Sequence, residues 1–302
     1  MENQIIIPHL WFDTEAAEAA EFYTSLFPHS KIIDQVTLHD TPSGDAQQLS
    51  FELYGYRFMA INAGPYFTFN PSISFFINFD PSKDGAAEQN LEKTWNTLIE
   101  DGTALMPLDE YPFSKKYGWV EDKYGISWQL ILTDPDGDDR PEIIPALMFV
   151  GDNLGKCGEA IEFYLSIFND ARMGELARYP ENLPPHLPGS VMYSDFVIED
   201  QWFSAMDSAG PHEFNFNEAI SLMVLCEDQQ TVDDYWEKLS ADPEAEQCGW
   251  LKDKYGVSWQ IIPKEMDEMI SNGTPEQVQK VTQAFLEMKK IDLETLKQAY
   301  KG

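Results

Sequence analysis

The side chains best suited to chemistry occur in two matching stretches, Asp122–Ile131 (DKYGISWQLI) and Asp253–Ile262 (DKYGVSWQII). Each places an amide (Gln129, Gln260) two residues after a hydroxyl (Ser127, Ser258). In an extended strand alternate side chains share a face, so Ser127, Gln129 and Ile131 lie together, opposite Trp128 and Leu130. Ser258, Gln260 and Ile262 repeat that arrangement against Trp259 and Ile261. Neutral hydroxyls and amides on an apolar wall either orient an organic ligand or satisfy one another inside a filled barrel, and both readings stand at this point. The five histidines (His9, His29, His39, His186, His212) are far apart and never spaced as H-x-x-x-H. No helix therefore presents a metal-binding pair. His9, close to Trp11, reads first as a core or rim residue. Cys157, Cys226 and Cys248 form no C-x-x-C and cannot all pair, which reads as small buried thiols in a reducing compartment. No phosphate-binding loop, G-x-G-x-x-G turn or G-x-S-x-G elbow is present.

The two stretches belong to a longer duplication. Ile6-Ile7-Pro8 answers Ile143-Ile144-Pro145, and Glu21-Phe22-Tyr23 answers Glu162-Phe163-Tyr164. Gly64-Pro65 answers Gly210-Pro211, and Trp95 with Leu98 answers Trp236 with Leu239. A repeat this long is a duplicated domain rather than a solenoid unit. The expected organisation is a first domain at 1–134, a second at 141–264 and a helical arm at 265–302. The join, Thr133–Glu142 (TDPDGDDRPE), reads as a solvated linker and lacks the closing Glu of a calcium loop.

Hydrophobic patterning in the first half predicts strands near Ile5–Phe12, Ile32–Leu38, Gln48–Leu53, Arg57–Ile61, Ser72–Phe79, Ala104–Leu108, Gly118–Glu121 and Ile126–Leu132. Asp13 or Thr14 is expected to cap a first helix, and a second is expected over Ala86–Glu100. Each half is thus βαβββ written twice. In the arm, Thr274-Pro275-Glu276-Gln277 is a helix start, followed by an apolar stripe of Val278, Val281, Phe285 and Met288. Asp292 is placed to cap a last helix.

The 302 residues carry 43% hydrophobic side chains, enough to bury a core without disulfides. Twenty Lys and Arg face 52 Asp and Glu, a net charge of −32. Such a surface repels phosphate backbones, so neither nucleic acid nor anionic membrane is an expected partner. No apolar run reaches the roughly 18 residues of a membrane helix, and the N-terminus lacks a secretion signal, so a cytoplasmic location is expected.

Several strings resemble the PhnB-like branch of the vicinal oxygen chelate (glyoxalase/bleomycin resistance/dioxygenase) superfamily, whose members are also called 3-demethylubiquinone-9 3-methyltransferase-like. They are Pro8-His9-Leu10-Trp11-Phe12, Glu21-Phe22-Tyr23 with Leu26-Phe27, and Gly210-Pro211-His212 running to Ala219-Ile220-Ser221. Cys248-Gly249-Trp250-Leu251-Lys252-Asp253 into Ser258-Trp259-Gln260, and Met288-Lys289-Lys290-Ile291-Asp292, complete the set. The resemblance implies an α+β fold of four βαβββ modules forming two tandem glyoxalase/bleomycin-resistance-like domains, plus the arm. It implies a single-repeat dimer fused head to tail, acting as a monomeric pseudo-dimer or a homodimer. It also implies paired cups, where metal-using relatives hold a divalent ion with inward His and Glu.

On that pattern the metal positions fall on Pro8 or His9, near Ala60, and on Ser74 and Gln129 in the first half. In the second half they fall on Pro145 or Ala146, Ala205, Ser221 and Gln260. Only His9 is a good ligand, so no metal and no other cofactor is assigned. The expected function is binding of a small hydrophobic or aromatic molecule. Its candidate contacts are His9, Asn62, Ser74, Ser127, Gln129, Asp207, Ser221, Ser258 and Gln260. Gln129→Leu and Gln260→Leu are expected to leave folding nearly intact but to change ligand binding, because both amides face the cavity. A lyase, dioxygenase or methyltransferase activity is the alternative implied by the resemblance. The aromatic connections Gly64–Asn70 and Gly210–Asn217 read as a cup rim or as packing.

Overall fold

The protein is described here as a computed structural model covering residues 4–302. Two compact units form, one from residues 4–68 with 216–302 and the other from 69–215. Each unit therefore takes one module from each sequence repeat.

Unit 1 opens with β1 (Ile6–Phe12), α1 (Ala16–Leu26), β2 (Lys31–Thr41), β3 (Gly44–Leu53) and β4 (Tyr56–Asn62). Unit 2 follows with β5 (Ile73–Phe79), α2 (Ala87–Leu98), β6 (Thr103–Tyr111), β7 (Ser114–Glu121) and β8 (Ser127–Leu132). It continues through β9 (Ile143–Phe149), α3 (Cys157–Ile167), β10 (Arg172–Arg178), β11 (Val191–Ile198) and β12 (Gln201–Asp207). The chain returns to unit 1 with β13 (Ile220–Cys226), α4 (Gln229–Leu239), β14 (Trp250–Lys252) and β15 (Ser258–Pro263). The arm is α5 (Lys264–Asn272), α6 (Pro275–Leu286) and α7 (Leu293–Lys301). Every strand expected in the first half is present within a few residues. The fourth module keeps only β14 and β15 after its helix. Asp242-Pro243 and the acidic residues that follow give no alternating apolar pattern, and they form turns.

The sheet of unit 1 runs β14-β15-β13-β1-β4-β3-β2, and that of unit 2 runs β10-β11-β12-β9-β5-β8-β7-β6. At each centre, first strands of two modules pair antiparallel, β1 with β13 (His9 opposite Ser221) and β9 with β5 (Ala146 opposite Ser74). Alternation then sorts the side chains. Leu10, Phe58, Ala60, Leu222 and Trp259 take the helix face of unit 1, while Ile7, His9, Met59, Ser221 and Gln260 take the inner face.

The repeated DKYG stretch holds each helix face together. Asp122 Oδ1 accepts the N–H groups of Tyr124 and Ile126 at 2.9 and 3.0 Å, and Oδ2 accepts Trp128 Nε1–H at 2.8 Å. Asp253 does the same for Tyr255, Val257 and Trp259 at 2.9, 3.0 and 2.9 Å.

The arm lies on the inner face of unit 1. Met266, Met269, Ile270, Val278, Val281, Phe285, Ile291 and Leu296 share one core with Ile7, Leu38, Met59, Met223 and Ile262. Thr274 and Gln277 form the expected capping box, and the Asp292 side chain accepts Thr295 N–H. The helix α5 was not expected. In unit 2, Arg140 corrects the reading of its linker as merely solvated. Its Nε donates to Asp195 Oδ2 at 2.8 Å, and its guanidinium lies 4.0 Å from the Trp202 ring centroid.

Candidate functional site

On the inner face of unit 1, adjacent strands bring together His9, Ser221, Ser258 and Gln260. His9 pairs across with Met59 and Ser221, and Gln260 pairs with Met223 and Trp250. Gln260 Nε2 donates to Ser221 Oγ at 2.9 Å. His9 is 4% exposed and Ser258 1% exposed. Neither His9 Nδ1 nor Ser258 Oγ has a hydrogen-bond partner. Burial pushes the His9 imidazole down to about 4, so the ring is neutral at physiological pH. The edge of this row is aromatic. Trp250 meets His9 edge-on at 5.7 Å, and Trp11 meets Trp250 at 5.9 Å and Phe67 at 5.1 Å. Trp11 Nε1 donates to the Gly64 carbonyl at 2.9 Å, fixing the Gly64–Phe67 connection beside it. Such a row can hydrogen-bond an uncharged polar atom while its aromatic edge contacts a flat body.

The same positions in unit 2 form a closed set. Gln129 Nε2 donates to Ser74 Oγ at 2.8 Å, and Tyr117 Oη donates to Gln129 Oε1 at 2.6 Å. Trp119 Nε1 donates to Ser127 Oγ at 2.5 Å. Burial raises the Tyr117 phenol well above its ordinary range, so it remains a donor. Phe76, Tyr117, Ile144 and Ala146 form a small core there, flanked by Trp119, Ile131, Tyr193 and Trp202. By repeat position, Ala146 stands for His9, Phe76 for Met223, and Tyr117 for Cys248. Ser74 and Gln129 are thus bonded to each other, and Tyr117 and Trp119 occupy Gln129 and Ser127.

Asn62 and Asp207 lie on the other side, which corrects their expected orientation. Asn62 Oδ1 accepts the Ala16 N–H at 2.7 Å, at the start of α1. It replaces the expected cap by Asp13 or Thr14, since the residue preceding α1 makes no side-chain cap. Asp207 accepts the N–H groups of Gly155, Cys157 and Val191 at 2.7, 3.3 and 2.8 Å, around the start of α3. Burial raises its pKa against the lowering effect of those bonds. Even-numbered positions on β4 and odd-numbered positions on β12 face the helices, so Ala60 and Ala205 turn away from the inner face as well. Met59 and Ser204 take the inner positions instead.

A divalent metal needs several imidazole or carboxylate donors converging on one point. Unit 1 offers His9, Met59, Ser221 and Gln260 there, and unit 2 offers Ala146, Ser204, Ser74 and Gln129. Among the described residues no three His, Cys, Asp or Glu side chains group as a metal site. These donor sets do not fit the ion of the metal-using relatives. A sulfonium methyl donor carries an ammonium and a carboxylate, and the neutral row gives neither a charged partner. Arg57, nearby on β4, is engaged by Asp267 of α5 at 3.0 Å.

Comparison with known proteins agrees with the repeat. The sequence pattern of a family described as 3-demethylubiquinone-9 3-methyltransferase matches residues 4–131 and again 141–262. A solved Bacillus cereus protein described as a PhnB protein is 38% identical over 43% of this chain and 100% of its own, with a TM-score of 0.39. Glyoxalase I from Zea mays is 12% identical over 89% of this chain and 98% of its own, with a TM-score of 0.53, and shares the fold. A Bacillus subtilis protein described as a dioxygenase is 10% identical over 96% of this chain and 94% of its own, with a TM-score of 0.50. No curated protein matches the chain in sequence.

Proposed function

Because the chain belongs to the family described as 3-demethylubiquinone-9 3-methyltransferase, we propose that it is a small-molecule-binding protein of the glyoxalase-like superfamily, with its ligand on the inner face of unit 1. The ligand class is an uncharged aromatic molecule bearing a hydroxyl or carbonyl. One observation carries this reading: two buried polar atoms, His9 Nδ1 and Ser258 Oγ, stand without partners, while Ser127, the counterpart of Ser258, is satisfied. Leaving such atoms unpaired costs about 1–3 kcal/mol each, a cost that a bound polar group removes. Trp11, Trp250 and Phe67 supply the flat contact surface.

The test is calorimetric titration of the full chain with phenol, benzamide and S-adenosylmethionine. Phenol or benzamide is expected to bind, and His9→Phe and Ser258→Ala are each expected to weaken it about tenfold, the loss of one hydrogen bond. Binding that survives both substitutions but disappears in Trp119→Ala would move the site to unit 2. Binding of S-adenosylmethionine alone would favour the methyltransferase reading carried by the family's description. The chain is taken to work as its own pseudo-dimer, and a light-scattering mass of twice the chain would contradict that.

A further inference from the structure

The inner faces of the two units descend from the same repeats and are filled by different means. In unit 2 the sheet fills its own face with Phe76 and Tyr117. In unit 1 the equivalent residues are Met223 and Cys248, which leave more room, and the arm occupies it. Val281, Ile291 and Leu296 of the arm are fully buried, and Phe285 is nearly so.

The arm is also fastened at its edges by directional bonds. Cys248 N–H donates to the Met288 carbonyl, and Gly249 N–H to the Lys289 carbonyl, both at 2.7 Å. These bonds use the place where the fourth module lacks a strand. Gln229 Nε2 donates to the Ile291 carbonyl at 3.0 Å, and its Oε1 accepts the Leu293 N–H at 2.8 Å. Arg57 Nη2 reaches both oxygens of Asp267, at 3.3 and 3.0 Å, in a partly buried pair. Gly249 has φ +87°, and a Cβ there would stand 2.7 Å from Ile262 Cδ1 and 3.2 Å from Ile291 Cγ1. The arm therefore packs against backbone, not only against adaptable side chains.

We propose that the C-terminal arm is a fixed wall of the unit 1 site, setting the length of the ligand. The arm covers the apolar half of the inner face around Ile7, Met59, Met223 and Ile262. The row of His9, Ser221, Ser258 and Gln260 and its aromatic edge lie outside the residues that share the arm's core, so a ligand held there meets the arm where an extended apolar tail would have to lie. This inference rests on the ligand placement proposed above. The arm's fixed character rests on the packing alone.

Two measurements on the full chain test it. The first is hydrogen exchange with and without phenol. Amides of α6 are expected to exchange as slowly as those of β1 and β13 and to be unchanged by phenol. Exchange in α6 at least 100-fold faster than in β1, or faster when phenol is bound, would make the arm a mobile lid and overturn the proposal. The second is a comparison of phenol with 4-hexylphenol. The wild-type chain is expected to bind phenol at least tenfold more tightly, and Phe285→Ala is expected to erase that preference. Tighter binding of 4-hexylphenol by the wild-type chain would overturn the wall. If neither phenol binds, the ligand assignment falls, and exchange alone then decides whether the arm is a fixed filler.

Discussion

At the scale of single residues, His9 ties stability to pH. The folded state holds its imidazole neutral down to about pH 4, whereas an unfolded histidine takes a proton near 6.5. The unfolded chain therefore binds more protons between those values. The His9 contribution is complete above pH 6.5 and is lost as pH falls from 6.5 to 4, by on the order of 3 kcal/mol. Urea unfolding across that window should show a steeper loss for wild type than for His9→Phe. Parallel curves would mean that His9 finds a partner in solution. The two glutamines, equivalent in sequence, should also part company. Gln129→Leu leaves Tyr117 and Ser74 without their buried partner and should cost about 2 kcal/mol. Gln260→Leu frees only Ser221 and should cost about 1 kcal/mol while weakening phenol. Equal unfolding free energies for the two variants would contradict this assignment.

At the scale of elements, the DKYG turn determines how the last strand of a repeat meets its helix face. Asp122→Ala removes a carboxylate that accepts two backbone N–H groups and an indole N–H, and should cost about 3 kcal/mol. The same change at Asp253 should cost as much, because Asp253 accepts the corresponding N–H groups of Tyr255, Val257 and Trp259. Thermal unfolding of both variants checks this, and a loss near zero in either would assign the turn to other contacts. Gly249 is a second element-scale point. Its positive φ and the nearby Ile262 and Ile291 side chains predict that Gly249→Ala destabilises by about 2 kcal/mol. The exchange rates of Ile291 and Leu293 should rise with it. A stable variant with an unaltered arm would remove this part of the packing argument.

At the scale of the whole molecule, the net charge of −32 makes like-charge repulsion a general cost of folding. Raising salt from about 20 mM to about 500 mM shortens the screening length from roughly 20 Å to a few ångströms and should raise the melting temperature by several degrees. A melting temperature that falls with salt would show that attractive pairs such as Arg140–Asp195 outweigh the repulsion.

The α+β class, the duplication, the arm's caps and the family were legible in the sequence. Each depends on local rules: period-2 alternation, a Thr-Pro-x-Gln start, or strings repeated in the same order. Side-chain direction was legible where a strand's register was anchored by a repeat, as at Gln129 and Gln260. It was not legible at Asn62 and Asp207. Whether an amide or carboxylate ends a strand facing inward or caps the neighbouring helix depends on where that helix begins in space. The combination of modules into units, the partner of β1 and the cover over unit 1 were decided only in three dimensions. All three depend on contacts between residues some two hundred positions apart, such as His9 with Ser221 and Arg57 with Asp267, and no local spacing records such distances.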